Sequence, residues 1–120
     1  MNESHQCQAL VITCIDYRFV SPQRDFLLPS YEGKYDLIPT PGSSKEISKI
    51  EDSIATSVKL HDPKEILVFD HENCGAYGVE DSLDAHQTNL LKAKSTLEKT
   101  YPNRTVKLFL TGFETVKEIN

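Results

Sequence analysis

Apolar residues fall along this chain in short blocks that alternate between two periods. Residues 9–15 (ALVITCI) form a β-branched run without breakers, which predicts a strand buried on both faces of a parallel sheet. Residues 35–40, closed by prolines, predict a weaker second strand, residues 65–70 (EILVFD) a strong third and residues 106–111 (VKLFLT) a fourth. Between the second and third, Ile47, Ile50, Ile54 and Val58 recur at helical spacing, predicting one amphipathic helix over residues 44–60. Ser43 followed by Glu46 has capping-box spacing, Pro41-Gly42 breaks what precedes, and Asp62-Pro63 ends the helix. A second helix over residues 82–100 carries Leu83, Leu90, Ala93 and Leu97 on one side and stops at Tyr101-Pro102. Residues 21–31 allow a short further helix.

Strands separated by crossovers predict an α/β fold: residues 1–120 as a single domain with an open, mainly parallel sheet. The expected strand order is 2-1-3-4, with right-handed crossovers and helices on both faces. In such a sheet ligands sit beyond the carboxyl ends of the strands where the order reverses, here between strands one and three.

Composition narrows the function classes. A net charge of -5, with Lys and Arg scattered, argues against nucleic-acid and anionic-membrane partners. No apolar run approaches membrane-spanning length, and the polar start, Met1 to Gln8, lacks the apolar core of a signal peptide, so a cytoplasmic protein is expected. Three cysteines in a reducing compartment point to ligand or nucleophile roles rather than a disulfide framework.

Those cysteines fall in informative places. Cys14 closes strand one, while His71 and Cys74 follow strand three, so all three converge on the expected switch point. Two thiolates and an imidazole suit the borderline-soft zinc ion, and the spacing His71-Glu72-Asn73-Cys74 lets one turn present two ligands. One zinc ion per chain is expected, its remaining position open or filled by Asp16. Asp16 and Arg18 lie two and four residues beyond Cys14, where strand alternation puts all three on one side. The Arg18 fork then either holds Asp16 off the metal or fixes its orientation. Backbone N–H groups near Gly42 or Gly75 are candidates for binding an oxyanion, or serve only turn geometry. His86 falls on the apolar stripe of the second helix and reads as a core residue rather than a proton shuttle. His5 and His61 read as exposed surface residues, and Cys7 as a free thiol without a role.

Cys14-Ile15-Asp16-Tyr17-Arg18 and His71-Glu72-Asn73-Cys74-Gly75 resemble the paired Cys-x-Asp-x-Arg and His-x-x-Cys-Gly marks of the β-class carbonic anhydrase family. The likeness spans residues 9–112 and suggests a short, minimal member. It implies reversible hydration of carbon dioxide to bicarbonate by a zinc-bound hydroxide, with Cys14, His71 and Cys74 as ligands and Asp16 and Arg18 as the catalytic dyad. It also implies a homodimer or larger homo-oligomer. Where the family usually carries Arg-Asn-Ala-Gly, this chain has Pro39-Thr40-Pro41-Gly42, which alters the pocket wall. Hydrolysis of carbon disulfide or carbonyl sulfide at the same site, and a non-catalytic zinc-binding role, are therefore alternatives.

Overall fold

The computed structural model describes residues 5–120. Its five strands are β1 (Ala9–Thr13), β2 (Tyr35–Pro39), β3 (Glu65–His71), β4 (Thr105–Thr111) and β5 (Val116–Ile119). They form one sheet in the order β2-β1-β3-β4-β5, parallel throughout except for the antiparallel β4–β5 pair. The expected order 2-1-3-4 is present, and β5 adds an edge the sequence reading did not contain. That strand is four residues long with Lys117 and Glu118 exposed, so it carries almost no hydrophobic pattern.

Helices cover both faces. On one side α1 (Val20–Tyr31) sets Leu27 against Ala9, Val11, Leu67, Phe69 and Phe109. There Phe69 and Phe109 stack at 4.7 Å, and Phe26 meets the edge of Phe109 at 5.2 Å. On the other, α2 (Glu51–His61) and α3 (Leu83–Thr100) pack with Leu10, Ile12, Ile66, Val68 and Leu108. Alternate residues of β1 and β3 thus serve opposite cores, which is why both strands read as unbroken apolar runs.

The single helix expected over residues 44–60 is two pieces. Residues Ser43–Ile50 wind as a 3-10 segment, kinked at Glu46, and α2 follows. The spacing accounts for the division: Ile47 and Ile50 are three apart, matching a three-residue turn, whereas Ile50, Ile54 and Val58 are four apart. The capping box at Ser43 does not form. Ser43 has φ +45°, is fully buried, and its hydroxyl has no partner among the described residues. Gly42, at φ +86°, turns the chain into the segment, and a side chain there would crowd Ala76 and Glu46 at 3.4 Å.

Ser82 caps α3 through the Ala85 N–H at 3.0 Å, and α3 stops before Tyr101-Pro102 as expected. Leu83, expected on the buried stripe, is 53% exposed, and the inward position one turn on belongs to His86, 2% exposed. Leu90, at 0% exposure, sits at the centre of this face. Leu90→Ala is expected to lower the unfolding free energy by about 2–5 kcal/mol, measured by urea denaturation with an unchanged slope.

Candidate metal centre

Cys14 lies one residue past β1, His71 is the last residue of β3, and Cys74 sits three residues further on. The parallel pairing of β1 with β3 brings the two strand ends side by side, and one ligand atom from each residue falls within 4.8 Å of the others. The two sulfurs are 4.0 Å apart. Two thiolates at about 2.3 Å from a tetrahedral zinc ion lie roughly 3.8 Å apart, so this spacing is nearly that of a ligand pair and far from a disulfide.

His71 is oriented for the same purpose. Its Nδ1–H donates to the Glu72 carbonyl at 2.7 Å, which leaves Nε2 with a lone pair. Nε2 is buried, makes no hydrogen bond among the described residues, and lies near the sulfurs with the Asp16 carboxylate 3.8 Å away. Phe19 stacks on the ring at 4.3 Å and fixes its plane. A buried, orphaned imidazole nitrogen between two thiols is costly unless an ion takes its lone pair, and the donor set matches zinc.

The electrostatics agree. Burial pushes the Cys14 thiol up, yet the His71 ring beside it and backbone hydrogen bonding from Gly42 and Asp16 bring it down to about 7. Cys74 is pushed up to about 11 by burial and by the neighbouring Cys14 charge. One thiolate therefore forms readily, and the second needs a cation. Gly75 faces an open cleft of about 640 Å³ whose walls include Ile15, Asp16, Arg18 and Pro41.

Asp16 and Arg18 do meet, but not by strand alternation. β1 has ended at Thr13, and Asp16 caps a 3-10 turn, Tyr17–Phe19, accepting from the Arg18 backbone N–H at 2.9 Å. The Arg18 side chain then folds back onto the carboxylate, with Nη2 at 2.7 Å and Nε at 3.1 Å. The guanidinium holds the Asp16 carboxyl at about 2, so it is a carboxylate at any ordinary pH. The other edge of Arg18 donates to Asn73 Oδ1 at 2.8 Å and to the Asn73 carbonyl at 2.9 Å. Arg18 thereby bridges the turns after β1 and β3. Asn73 escaped the sequence reading, although Asn inside a four-residue ligand turn signals the left-handed conformation it adopts, φ +55°.

Beneath the ligands lies a buried polar chain. Asp70 accepts from Ser44 N–H at 3.0 Å, Ser44 Oγ at 2.8 Å and Tyr77 OH at 2.8 Å. His86 joins Asp70 to Asp81 with 2.7 Å contacts at both ring nitrogens, and Asp81 accepts from the Cys74 backbone N–H at 3.2 Å. His86 is a core residue, as expected, and with both nitrogens bound to carboxylates it has no free position for shuttling protons.

The protein is thus an open, mainly parallel α/β sheet whose switch point gathers two thiols and an imidazole that could hold a metal ion. Residues 4–120 match the family described as "Putative carbonic anhydrase". The chain belongs to that family and is β-carbonic-anhydrase-like in fold. Uncharacterized proteins of Rickettsia conorii and Rickettsia bellii are each 29% identical over 95% of this chain, covering 72% and 82% of their own lengths. Among solved structures, a carbonic anhydrase of Streptococcus mutans superposes with TM-score 0.70 at 14% identity, over 98% of this chain and 84% of that one. One from Glaciozyma antarctica gives 0.71 at 13%, over 99% and 87%. Tetrameric β-carbonic anhydrases of Sordaria macrospora give 0.71 at 16%, over 97% and 82%.

His86 offers a test of the buried chain. Burial alone would lower its pKa, but Asp70 and Asp81 outweigh that and raise it above the ordinary 6.5, while Tyr77 packs on the ring without charge. A group so raised stabilises the fold fully below its unfolded pKa and loses that contribution as pH climbs through its folded value. His86→Gln is expected to cost about 3–5 kcal/mol at pH 6. The gap from the wild type should narrow as the solution is made more alkaline, followed by denaturant unfolding across the pH series.

Proposed function

We propose that this chain is a zinc-dependent carbonic anhydrase of the β type, hydrating carbon dioxide reversibly to bicarbonate. The observation that carries this reading is the orphaned His71 Nε2, set between the Cys14 and Cys74 thiols with the Arg18-held Asp16 carboxylate 3.8 Å away. Cys14, His71 and Cys74 would hold the zinc, and its chemistry is to lower the pKa of a bound water toward neutrality.

The chain's own residues do the rest. Asp16, kept anionic by Arg18, accepts a hydrogen bond from the attacking oxygen and turns that oxygen's lone pair toward the substrate. Arg18, occupied by Asp16 and Asn73, restrains Asp16 from closing on the metal. Ile15, Pro41 and Ala76 give the cleft apolar wall, which suits a small neutral gas, and Gly75 leaves its floor open to an anionic product.

We also take the chain to work as a cytoplasmic homo-oligomer. Ile15, Val20 and Leu37 are each more than half exposed beside the edge strand β2, and they border an apolar cleft of about 360 Å³ that a second copy would cover. The tetrameric Sordaria macrospora enzymes support this assembly.

Zinc analysis joined to stopped-flow carbon dioxide hydration tests the reading. Cys14→Ser is expected to lose the ion of this site and all activity. Asp16→Asn should keep the ion and lose about 10²-fold or more in kcat/KM. No hydration by the zinc-loaded wild type would overturn the proposal, with turnover of carbonyl sulfide or carbon disulfide reassigning the substrate. Collapse of both zinc content and fold in Asp16→Ala would make Asp16 a structural ligand.

A further inference from the structure

We propose that Cys7, Asp36 and His61, with His5 beside them, form a second metal site that takes a borderline-soft divalent cation of the zinc class. It lies at the amino ends of the strands, opposite the Cys14 centre, and does not depend on the activity proposed above. Cys7 precedes β1, Asp36 is the second residue of β2, and His61 is the last residue of α2. Ligand atoms from these separate segments nonetheless lie within 4.8 Å of one another, all partly buried. The backbone holds the arrangement: Cys7 N–H donates to the His61 carbonyl at 3.0 Å, and the Gln8 and Ala9 N–H groups both donate to the Lys34 carbonyl just before β2. The exposed His5 ring lies 4.8 Å from that of His61, at the rim of the cluster.

An ion pair alone accounts for only part of this cluster. His61 Nδ1 meets Asp36 Oδ2 at 2.7 Å and Ser57 Oγ donates to the same oxygen at 2.7 Å. That pair has no need of a thiol and a second imidazole within reach. Cys7 gives its S–H only to its neighbour's carbonyl, at 3.3 Å from Ala9 O. Thiolate, imidazole and carboxylate together are a zinc donor set, and Ser57 supplies the hydrogen bond that orients a ligating carboxylate. The 2.7 Å contact is shorter than the roughly 3.3 Å that separates nitrogen and oxygen ligands on one tetrahedral ion. Binding therefore replaces this hydrogen bond with two metal bonds, and the thiol proton passes to solvent as Cys7 becomes a thiolate. The three protein donors come from three separate segments, so a bound ion would fasten the segment before β1 to β2 and to the end of α2. His5 is exposed, as expected, whereas His61 is only half-exposed, and the reading of Cys7 as a thiol without a role gives way to this one.

The test is metal content and cobalt substitution in the full chain. The wild type is expected to hold one more zinc ion per chain than either Cys7→Ser or His61→Ala, with carbon dioxide hydration unchanged in both variants. In the cobalt-loaded protein, Cys7→Ser should remove about one-third of the thiolate-to-metal charge-transfer absorbance, since three cysteines would ligate in the wild type and two in the variant. Cys14→Ser should retain the Cys7 ion, which separates failure of this site from failure of the other. Equal metal content and equal cobalt spectra in the wild type, Cys7→Ser and His61→Ala would overturn the proposal, even if a further ion were bound elsewhere.

Discussion

A carboxylate buried one residue before a candidate metal ligand organises this molecule. Asp70, 2% exposed at the end of β3, has no water to solvate it, so its oxygens must be satisfied by the chain. Four donors converge on it from three directions: the backbone and hydroxyl of Ser44, the phenol of Tyr77 and the imidazole of His86. The donors come from three separate segments that gather around the strand end. The 3-10 segment after Gly42, the loop carrying Cys74 and the start of α3 are thereby fixed to the strand that delivers His71. Through His86 and Asp81 the same network reaches the Cys74 backbone N–H, so the relative positions of two candidate ligands follow from the solvation of one buried charge.

That constraint explains what could and could not be read along the chain. Strands β1, β3 and β4 were legible because burial on both faces leaves a continuous apolar signature, and strand order followed from the crossovers between them. Cys14, His71 and Cys74 were legible because their meeting requires only that β1 and β3 be parallel neighbours. The contents of the core were harder: His86 occupies a position where periodicity expected an apolar side chain further up the helix, because it meets the buried Asp70 carboxylate through a ring nitrogen, a need that hydropathy does not register. Ser43 was misread as a cap for a related reason. Its sequence neighbours fit the capping pattern, but Gly42 makes the turn and the hydroxyl is driven inward. β5 was invisible because an edge strand of four residues with two exposed charges has no period to detect.

Arg18 is the second device that sequence spacing suggested for the wrong reason. Alternation along an extended strand would have placed Cys14, Asp16 and Arg18 on one face by regularity alone. The chain instead leaves β1 at Thr13 and folds a capping turn, so Asp16 is held first by a backbone N–H and then by the guanidinium. The difference matters physically. A strand-borne pair could splay apart at small cost, whereas a carboxylate engaged by its own turn and by a guanidinium that is itself anchored to Asn73 has few alternative rotamers.

The charges at the two strand ends complete the argument. Two thiolates, one carboxylate, one guanidinium and a divalent ion sum to zero formal charge, in a chain that carries -5. Without the cation the same groups leave a net negative cluster in a partly buried site, and the chain answers by keeping Cys74 protonated. A divalent cation held by the two thiolates would restore neutrality. Arg18 enters that balance directly: its guanidinium cancels the Asp16 charge, so that beside the thiols the carboxylate would count as a directional acceptor rather than as a further uncompensated negative charge.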